Sequence, residues 1–291
     1  MKTFLNKINP VDWAYFIYQA VIIVMIIVFR TNLDQWASYV LWHLLFILAG
    51  TSIIHFFHDT PVFALRMFRH WYVILTYAHF FIETGMLNQI VFQGFWDKSF
   101  IEWDIRLFGT DPNLWFYDHL NNFWFNEIIH FCYFSYYIVP TALGVILFTQ
   151  RDTNYFRLLL GFTVTFYVCY FIYILTPVRG PLEMREVRFL DGGWFVQIMN
   201  WIYANAEKPG AAFPSSHVAI GLLTLYYAFR YRRNLFWIFL PFMTGLVFST
   251  VYCFYHYVVD VFAGVFVSIV MFWLCEKWYA HSLKSRFPTS I

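Results

Sequence analysis

Apolar side chains run through this chain in blocks of about 17 residues or more, each long enough to cross the hydrocarbon of a bilayer as a helix. The first block, from Trp13 to Phe29, contains one strongly polar side chain, Gln19. Together the blocks predict eight helical spans, at about 12–29, 37–57, 70–92, 123–149, 155–176, 214–230, 235–253 and 256–278. Two long segments interrupt them. The segment at about 93–122 sets Asp97, Glu102, Asp104, Asp111 and Asp118 among Trp96, Trp103, Trp115 and Phe116, the composition of an amphipathic stretch lying flat on the membrane. The segment at about 177–213 carries Arg179, Gly180, Pro181, Arg185, Arg188, Gly192, Gly193, Pro209 and Gly210 and reads as irregular, with an apolar interfacial turn from Trp194 to Tyr203.

Composition sharpens this picture. Of 291 residues, 60% are hydrophobic, 24% aromatic and 12% charged, which excludes an ordinary soluble domain with about 25% charged residues. Nineteen Lys and Arg against 17 Asp and Glu leave a formal charge of +2 with no run of like charges, so nucleic acid is not the partner. Cys132, Cys169, Cys253 and Cys275 fall in apolar stretches without CxxC spacing and read as small buried hydrophobes. The first apolar block exceeds a signal-peptide core and no small-residue cleavage site follows it, which predicts an uncleaved helix.

Eight spans put both termini on one side. With cytoplasmic termini, the inside holds Lys2, Lys7, Arg66, Arg69, Arg151, Arg157, Arg230, Arg232, Arg233, Lys277, Lys284 and Arg286. The outside holds Arg30, Lys98, Arg106, Arg179, Arg185, Arg188 and Lys208, so the excess of basic residues is inside, as orientation rules require. Arg66, Arg69, Arg230, Arg232 and Arg233 read as headgroup-level anchors.

Polar groups at the ends of spans concentrate in three clusters, all opening on the outer face. They are Arg179-Gly180-Pro181, then Phe213-Pro214-Ser215-Ser216-His217, then Ser249 to Asp260 with His256. In the second, Pro214 suits a first helical turn, Ser215 or Ser216 suits a cap, and the free N–H groups of that terminus form a phosphate cradle. In the third, His256 and Asp260 are four apart. On a helix they share a face, with the acid orienting the imidazole and leaving its other nitrogen nucleophilic.

The order and spacing of these residues resemble the three signature motifs of the type 2 phosphatidic acid phosphatase superfamily, over more than the second half of the chain. Tyr252, the pair His256-Tyr257 and the stretch from Trp103 to Pro140 resemble more closely its branch of inositol phosphorylceramide synthases, which are inositolphosphotransferases. The resemblance implies an all-α, polytopic integral membrane helix bundle of about eight transmembrane helices with a six-helix core. The expected division is 1–69 for two additional N-terminal helices, 70–279 for the catalytic core and 280–291 for a short cytoplasmic tail.

It also implies residue roles. His256 attacks phosphorus and becomes phosphorylated, Asp260 orients it, and His217 protonates the leaving oxygen. Arg179 holds the non-bridging oxygens with Ser215 and Ser216, and Arg185, Arg188 and Tyr252 are candidates for substrate contact. No metal or cofactor is implied. Two departures bear on the substrate: Ile172 stands where the first motif has a Lys, and Ser249-Thr250 stands where the third has Ser-Arg. With fewer cations, a site favours the single charge of a phosphodiester over a monoester that is nearly a dianion. The expected reaction is therefore transfer of a phospho-headgroup from a phospholipid to a lipid alcohol such as a ceramide or diacylglycerol. The alternatives are hydrolysis of phosphatidic acid-like or prenyl phosphate monoesters, and a non-catalytic transporter or scaffold that keeps the fold.

Blander readings cover the other polar residues. His43, His55, His58, His79 and His130 read as hydrogen-bonded packing residues. Ser249 and Thr250 read as bonding the carbonyl four residues back, and Glu83 and Glu127 as lining a cavity or anchoring at the interface. His55-x-x-His58 alone does not make a di-iron site, and a serine hydrolase's Gly-x-Ser-x-Gly turn is absent.

Overall fold

A computed structural model describes residues 4–206 and 209–286, so Lys2, Lys208 and residues 287–291 of the expected tail lie outside the described residues. The described residues form twelve α-helices: α1 (Pro10–Val28), α2 (Trp36–Phe57), α3 (Phe63–Leu87), α4 (Asp97–Phe108), α5 (Pro112–Leu120), α6 (Phe123–Thr149), α7 (Tyr155–Leu175), α8 (Leu182–Arg188), α9 (Trp194–Ala206), α10 (Ser216–Tyr231), α11 (Arg233–Tyr252) and α12 (Val258–Arg286). The fold is an all-α polytopic bundle, as the apolar blocks predict.

Six helices, α1, α2, α6, α7, α11 and α12, are long and apolar enough to cross a membrane. The other two expected spans, α3 and α10, fall short for different reasons. α3 has 25 residues but carries Arg66, Arg69, His70, His79 and Glu83, and it starts at Phe63 rather than 70. α10 has 16 residues, which at about 1.5 Å per residue is shorter than the hydrocarbon. It packs against α6, α7, α11 and α12, so protein rather than lipid surrounds it.

Local sequence explains the helix starts. Asn9 and Asp12 make a reciprocal capping box at α1, with Pro10 in its first turn. At α5 the Asp111 side chain alone caps, accepting from Asn113 N and Leu114 N with Pro112 in the first turn, and Asn122 caps α6 through Phe125 N at 3.0 Å. Asp12 is also fully buried. Arg69 of α3 meets its Oδ2 at 2.6 Å and Tyr72 donates to its Oδ1 at 2.8 Å, which ties α1 to α3.

One contiguous hydrophobic core runs from Val11 in α1 to Tyr279 in α12. Lys7 and Asn9 near the start share a cavity with Tyr279 and Ser282 near the end, so both described ends of the chain sit at one end of the bundle. The opposite end gathers α4, α5, α8 and α9, and α12 continues through Arg286 where a tail was expected from 280. All four cysteines are free, and Cys169, Cys253 and Cys275 are buried.

The two long interruptions differ from expectation. The first folds into α4 and α5, and the acidic face of α4 turns inward: Asp104 is buried while Trp103, Leu107 and Phe108 are exposed. Backbone N–H groups inside the bundle offer those carboxylates better partners than water does. The second is not irregular. It folds into α8 and α9, and α9 packs on α6 with Val196 and Met199 buried and Trp194 and Trp201 exposed.

Candidate active site

α10 begins in a braced turn. Ser215 is its N-cap: the Oγ accepts from Val218 N at 3.3 Å, and the Ser215 N–H donates to Asp260 O at 3.1 Å. Pro214 stands outside the helix rather than in its first turn, after a cis Phe213–Pro214 bond, because Ser215, one of the two expected caps, follows it. Ser216 and His217 open α10, and both line a cavity of about 310 Å³ at the end of the bundle away from the chain ends. A helix start facing a cavity presents free N–H groups and a partial positive charge to an anion.

The first cluster is held against the second by backbone pairing, with Ala212 N donating to Val178 O at 2.9 Å. Asp97 of α4 then fixes its turn. Its carboxylate accepts from Arg179 N at 3.1 Å, Gly180 N at 3.0 Å and the Tyr257 hydroxyl at 3.2 Å. Gly180 has φ +79°, and a Cβ there would stand 2.7 Å from Tyr255 O, so a glycine is required for this cluster to lie on the loop that carries His256. The Arg179 side chain is half exposed at the cavity, 4.1 Å from the Phe95 ring centre and 3.1 Å from Glu183. An exposed pair of this kind is weak, so the guanidinium is available to a phosphate.

His256 lies in the turn before α12 rather than on the helix, which corrects the expectation of a shared helical face. The turn itself brings it to Asp260, with Nδ1 3.4 Å from Oδ2, and Oδ2 also accepts from Tyr257 N at 2.9 Å. Two more groups fix this turn. Asn113 of α5 donates to Val251 O at 2.7 Å and to His256 O at 3.0 Å. Asp104 of α4 accepts from Val258 N at 2.7 Å and Val259 N at 3.0 Å, filling the N-terminus of α12. Burial pushes the Asp104 carboxyl above its usual range, and those two N–H bonds pull against the shift. At Gly264, a Cβ would meet Ser215 O at 2.6 Å, so the missing side chain lets α12 close on the cap of α10.

Across the cavity, the His217 and His256 ring centres are 5.9 Å apart. His217 Nε2 is 3.1 Å from the Tyr133 hydroxyl, which in turn meets the Tyr203 hydroxyl of α9. The remaining wall is mostly aromatic, including Tyr77 and Phe81 of α3, Tyr136 of α6 and Tyr170 of α7.

The predicted residues therefore separate by position. Arg179, Ser216, His217 and His256 line one cavity, Asp260 stands behind His256, and Ser215 is the cap. Arg185 is buried behind the wall, its guanidinium 4.8 Å from the Tyr255 ring centre and 5.5 Å from that of Tyr203. Arg188 bonds Met184 O at 3.2 Å and stacks on Phe254, and Tyr252 donates to Asn126 Oδ1 at 2.6 Å; neither lines the cavity. Ser249 and Thr250 back-bond as expected, to carbonyls three rather than four residues earlier. Glu127 caps α9 through Phe195 N and Val196 N, and His43, His55, His58, His79 and His130 are all absent from the lining.

Sequence reasoning missed Asp97, Asp104, Asn113, Tyr133 and Tyr203. For the carboxylates a signal existed, since Asp97, Asp104 and Asp111 recur every seven places. For Asn113 and the tyrosines, among so many aromatics, none did.

Fold and cavity define a multi-pass helical membrane protein with two histidines and an arginine gathered at one end of its bundle. Residues 98–274 match the PAP2 superfamily, and the chain belongs to that superfamily. Membership supports a lipid phosphoryl enzyme of the phosphatase type. The match runs from α4 into α12 and leaves α1 to α3 outside it. No curated protein and no solved structure matches the chain.

Proposed function

We propose that the protein transfers a phospho-headgroup from a membrane phospholipid to a lipid alcohol through a phosphohistidine. His256 Nε2 attacks phosphorus and an N–P bond forms as the P–O bond to the donor's lipid alcohol breaks. His217 gives its proton to that departing oxygen. In the second half, the acceptor hydroxyl attacks phosphorus, its proton passes to His217, and the N–P bond breaks to free His256. Asp260 keeps the imidazole oriented throughout, while Arg179 and the first N–H groups of α10 stabilise the charge on the non-bridging oxygens. The chain supplies these groups from its own residues.

The observation that carries this reading is the lining of one cavity by His256, His217, Ser216 and Arg179, with a single guanidinium and walls otherwise rich in Tyr and Phe. One fixed cation matches the single charge of a phosphodiester, and an aromatic wall suits lipid. The branch that contains inositol phosphorylceramide synthases fits this pattern, with a ceramide or diacylglycerol as acceptor. The distribution of basic residues supports cytoplasmic termini, with the site on the opposite face.

One observation favours a second reading. Arg185 is 4% exposed, and its Nε and Nη2 have no hydrogen-bond partner among the described residues. A guanidinium brought forward from behind Tyr203 and Tyr255 would supply the second charge that a monoester phosphatase uses. The test gives purified protein, with His256→Ala as control, a panel of phospholipids with and without ceramide or diacylglycerol, and follows both free phosphate and new lipid. New phospholipid only with acceptor and only with His256 intact is the expected result. Inorganic phosphate released from monoesters without acceptor would overturn transfer in favour of hydrolysis.

A further inference from the structure

A second polar cavity lies on the other face of α3. Tyr77, Ala78 and Phe81 of that helix face the active-site cavity, whereas His79, Ile82, Glu83 and Met86 face a cleft of about 270 Å³ against α2, closed by Gln35, Ser38, Tyr39 and Trp42. Within it, Glu83 is 5% exposed. One carboxylate oxygen, Oε1, is 3.1 Å from His43 Nε2, and His43 Nδ1 is held in turn by Gln19 of α1. The other oxygen, Oε2, is buried without a hydrogen-bond partner among the described residues.

A carboxylate oxygen left without a donor among membrane-length helices calls for a ligand. The cleft's chemistry specifies which. Its lining contains Glu83, two electron-rich rings, Tyr39 and Trp42, and neither lysine nor arginine. Carboxylate and aromatic faces together bind ammonium groups, the rings attracting the cation through their quadrupoles. Depth specifies the source. Glu83 lies about one turn from the end of α3 at Leu87, and Asn88 just beyond it bonds Pro209 O at 2.6 Å in the segment leading to Ser216. The cleft is thus at the end of the bundle where the active site opens, at headgroup level. Its Trp42 flank is 57% exposed along the outward face of α2, which gives acyl chains a path beside the helix.

We propose that the cleft between α2 and α3 binds the ammonium headgroup of a phospholipid, with Glu83 as its counter-ion and Tyr39 and Trp42 as its cation-binding rings. The residues that match the superfamily begin at 98, so this lipid site lies outside the matched segment. It does not depend on the transfer reaction.

The experiment measures lipid retention. Full-length protein carrying His256→Ala, so that no turnover intrudes, is equilibrated with equal amounts of phosphatidylethanolamine, phosphatidylcholine and phosphatidylglycerol of one acyl composition, and the bound lipid is counted by native mass spectrometry. Retention of phosphatidylethanolamine over phosphatidylglycerol by about tenfold or more is expected, the effect of a hydrogen bond to a buried charge, while phosphatidylcholine, whose headgroup has no N–H to donate, gains the attraction of the rings alone and is retained about threefold over phosphatidylglycerol. Adding Glu83→Gln should bring phosphatidylethanolamine down to the level of phosphatidylcholine. Trp42→Ala, on the lipid-facing surface, should weaken the preference by about threefold with the melting temperature unchanged. Equal retention of all three lipids without Glu83→Gln, or a preference for phosphatidylethanolamine over phosphatidylcholine that survives Glu83→Gln in a protein that still melts cooperatively, overturns the site. Free ethanolamine should not compete at equal concentration; if it displaces the lipid, the lipid assignment fails.

Discussion

Two helix N-termini meet at the candidate active site and are treated in opposite ways. α10 starts with Ser215 as its cap and leaves Ser216 and His217 facing the cavity. α12 starts with its first N–H groups taken by Asp104 of α4, and Asp260 in its own first turn accepts from Tyr257 N. Each terminus carries the same partial positive charge. One is kept open for an anion, and the other is closed by carboxylates that the fold supplies. On the proposed reading, α10 receives the phosphate and α12 is the anchor that holds the His256 turn. On the same reading a site with few cations can function, since the open end of α10 and Arg179 face one cavity.

The strongest way to break this contrast is to close α10 as well. Ser216→Asp puts a carboxylate in the first turn of α10, where the helix dipole favours it by about 0.3–1 kcal/mol, yet in the place reserved for phosphate. Turnover should fall about 10²–10³-fold, the range for losing one stabilising donor set, while thermal melting holds or rises slightly. A Ser216→Asp enzyme within a few-fold of the starting rate would remove α10 from the phosphate site.

Opening α12 is the converse change. Asp104→Asn keeps the shape but removes the charge that two backbone N–H groups bond, and should lower stability by about 1–3 kcal/mol. Turnover should drop about tenfold, because Val258 and Val259 follow the His256 turn directly and a positioning loss propagates to the attacking nitrogen. Rates and denaturant midpoints measured together decide it. Wild-type turnover in a destabilised protein would confine Asp104 to folding and cut the link between α4 and the nucleophile.

A smaller effect separates cap from cradle in α10. Ser215→Ala loses the bond from Val218 N and should cost about 1 kcal/mol, with a change in rate well below that of Ser216→Asp. Equal losses of rate in the two variants would mean that Ser215 also touches phosphate, contrary to its absence from the cavity lining.

How far all this was legible in the sequence follows from the range of the interactions. The apolar blocks report transfer into lipid residue by residue, and they locate the long helices; α3 falls short because of the polar side chains it carries, and α10 because it is short and packed by protein rather than lipid. The signature residues place Arg179, Ser216, His217 and His256 correctly in one cavity. What holds them comes from far along the chain: Asp97 to Arg179 and Gly180, Asp104 to Val258, Asn113 to His256. In isolation, an acidic amphipathic stretch such as α4 reads as a surface helix, since nothing local shows that another helix's unpaired N–H groups are waiting for its carboxylates. His256 was placed on a helix by its spacing from Asp260, but the backbone at the turn is set by Thr250 O, which accepts from both Tyr255 N and His256 N.

The smallest expected effect belongs to Tyr252, a candidate for substrate contact that ends α11 on the closed side of the contrast. Its ring packs with Phe125, Phe248 and Phe189, and its hydroxyl donates to Asn126 Oδ1 at 2.6 Å. Tyr252→Phe keeps the ring and removes one hydrogen bond, whose acceptor is only partly buried, so stability should fall by about 0.5–1.5 kcal/mol. KM and the choice of lipid should not change, because the ring faces α5 and α6 rather than the cavity. A shift in KM for one headgroup with melting intact would move Tyr252 into the substrate path, and would mean that the closed side of the site reads the lipid as well as holding the nucleophile.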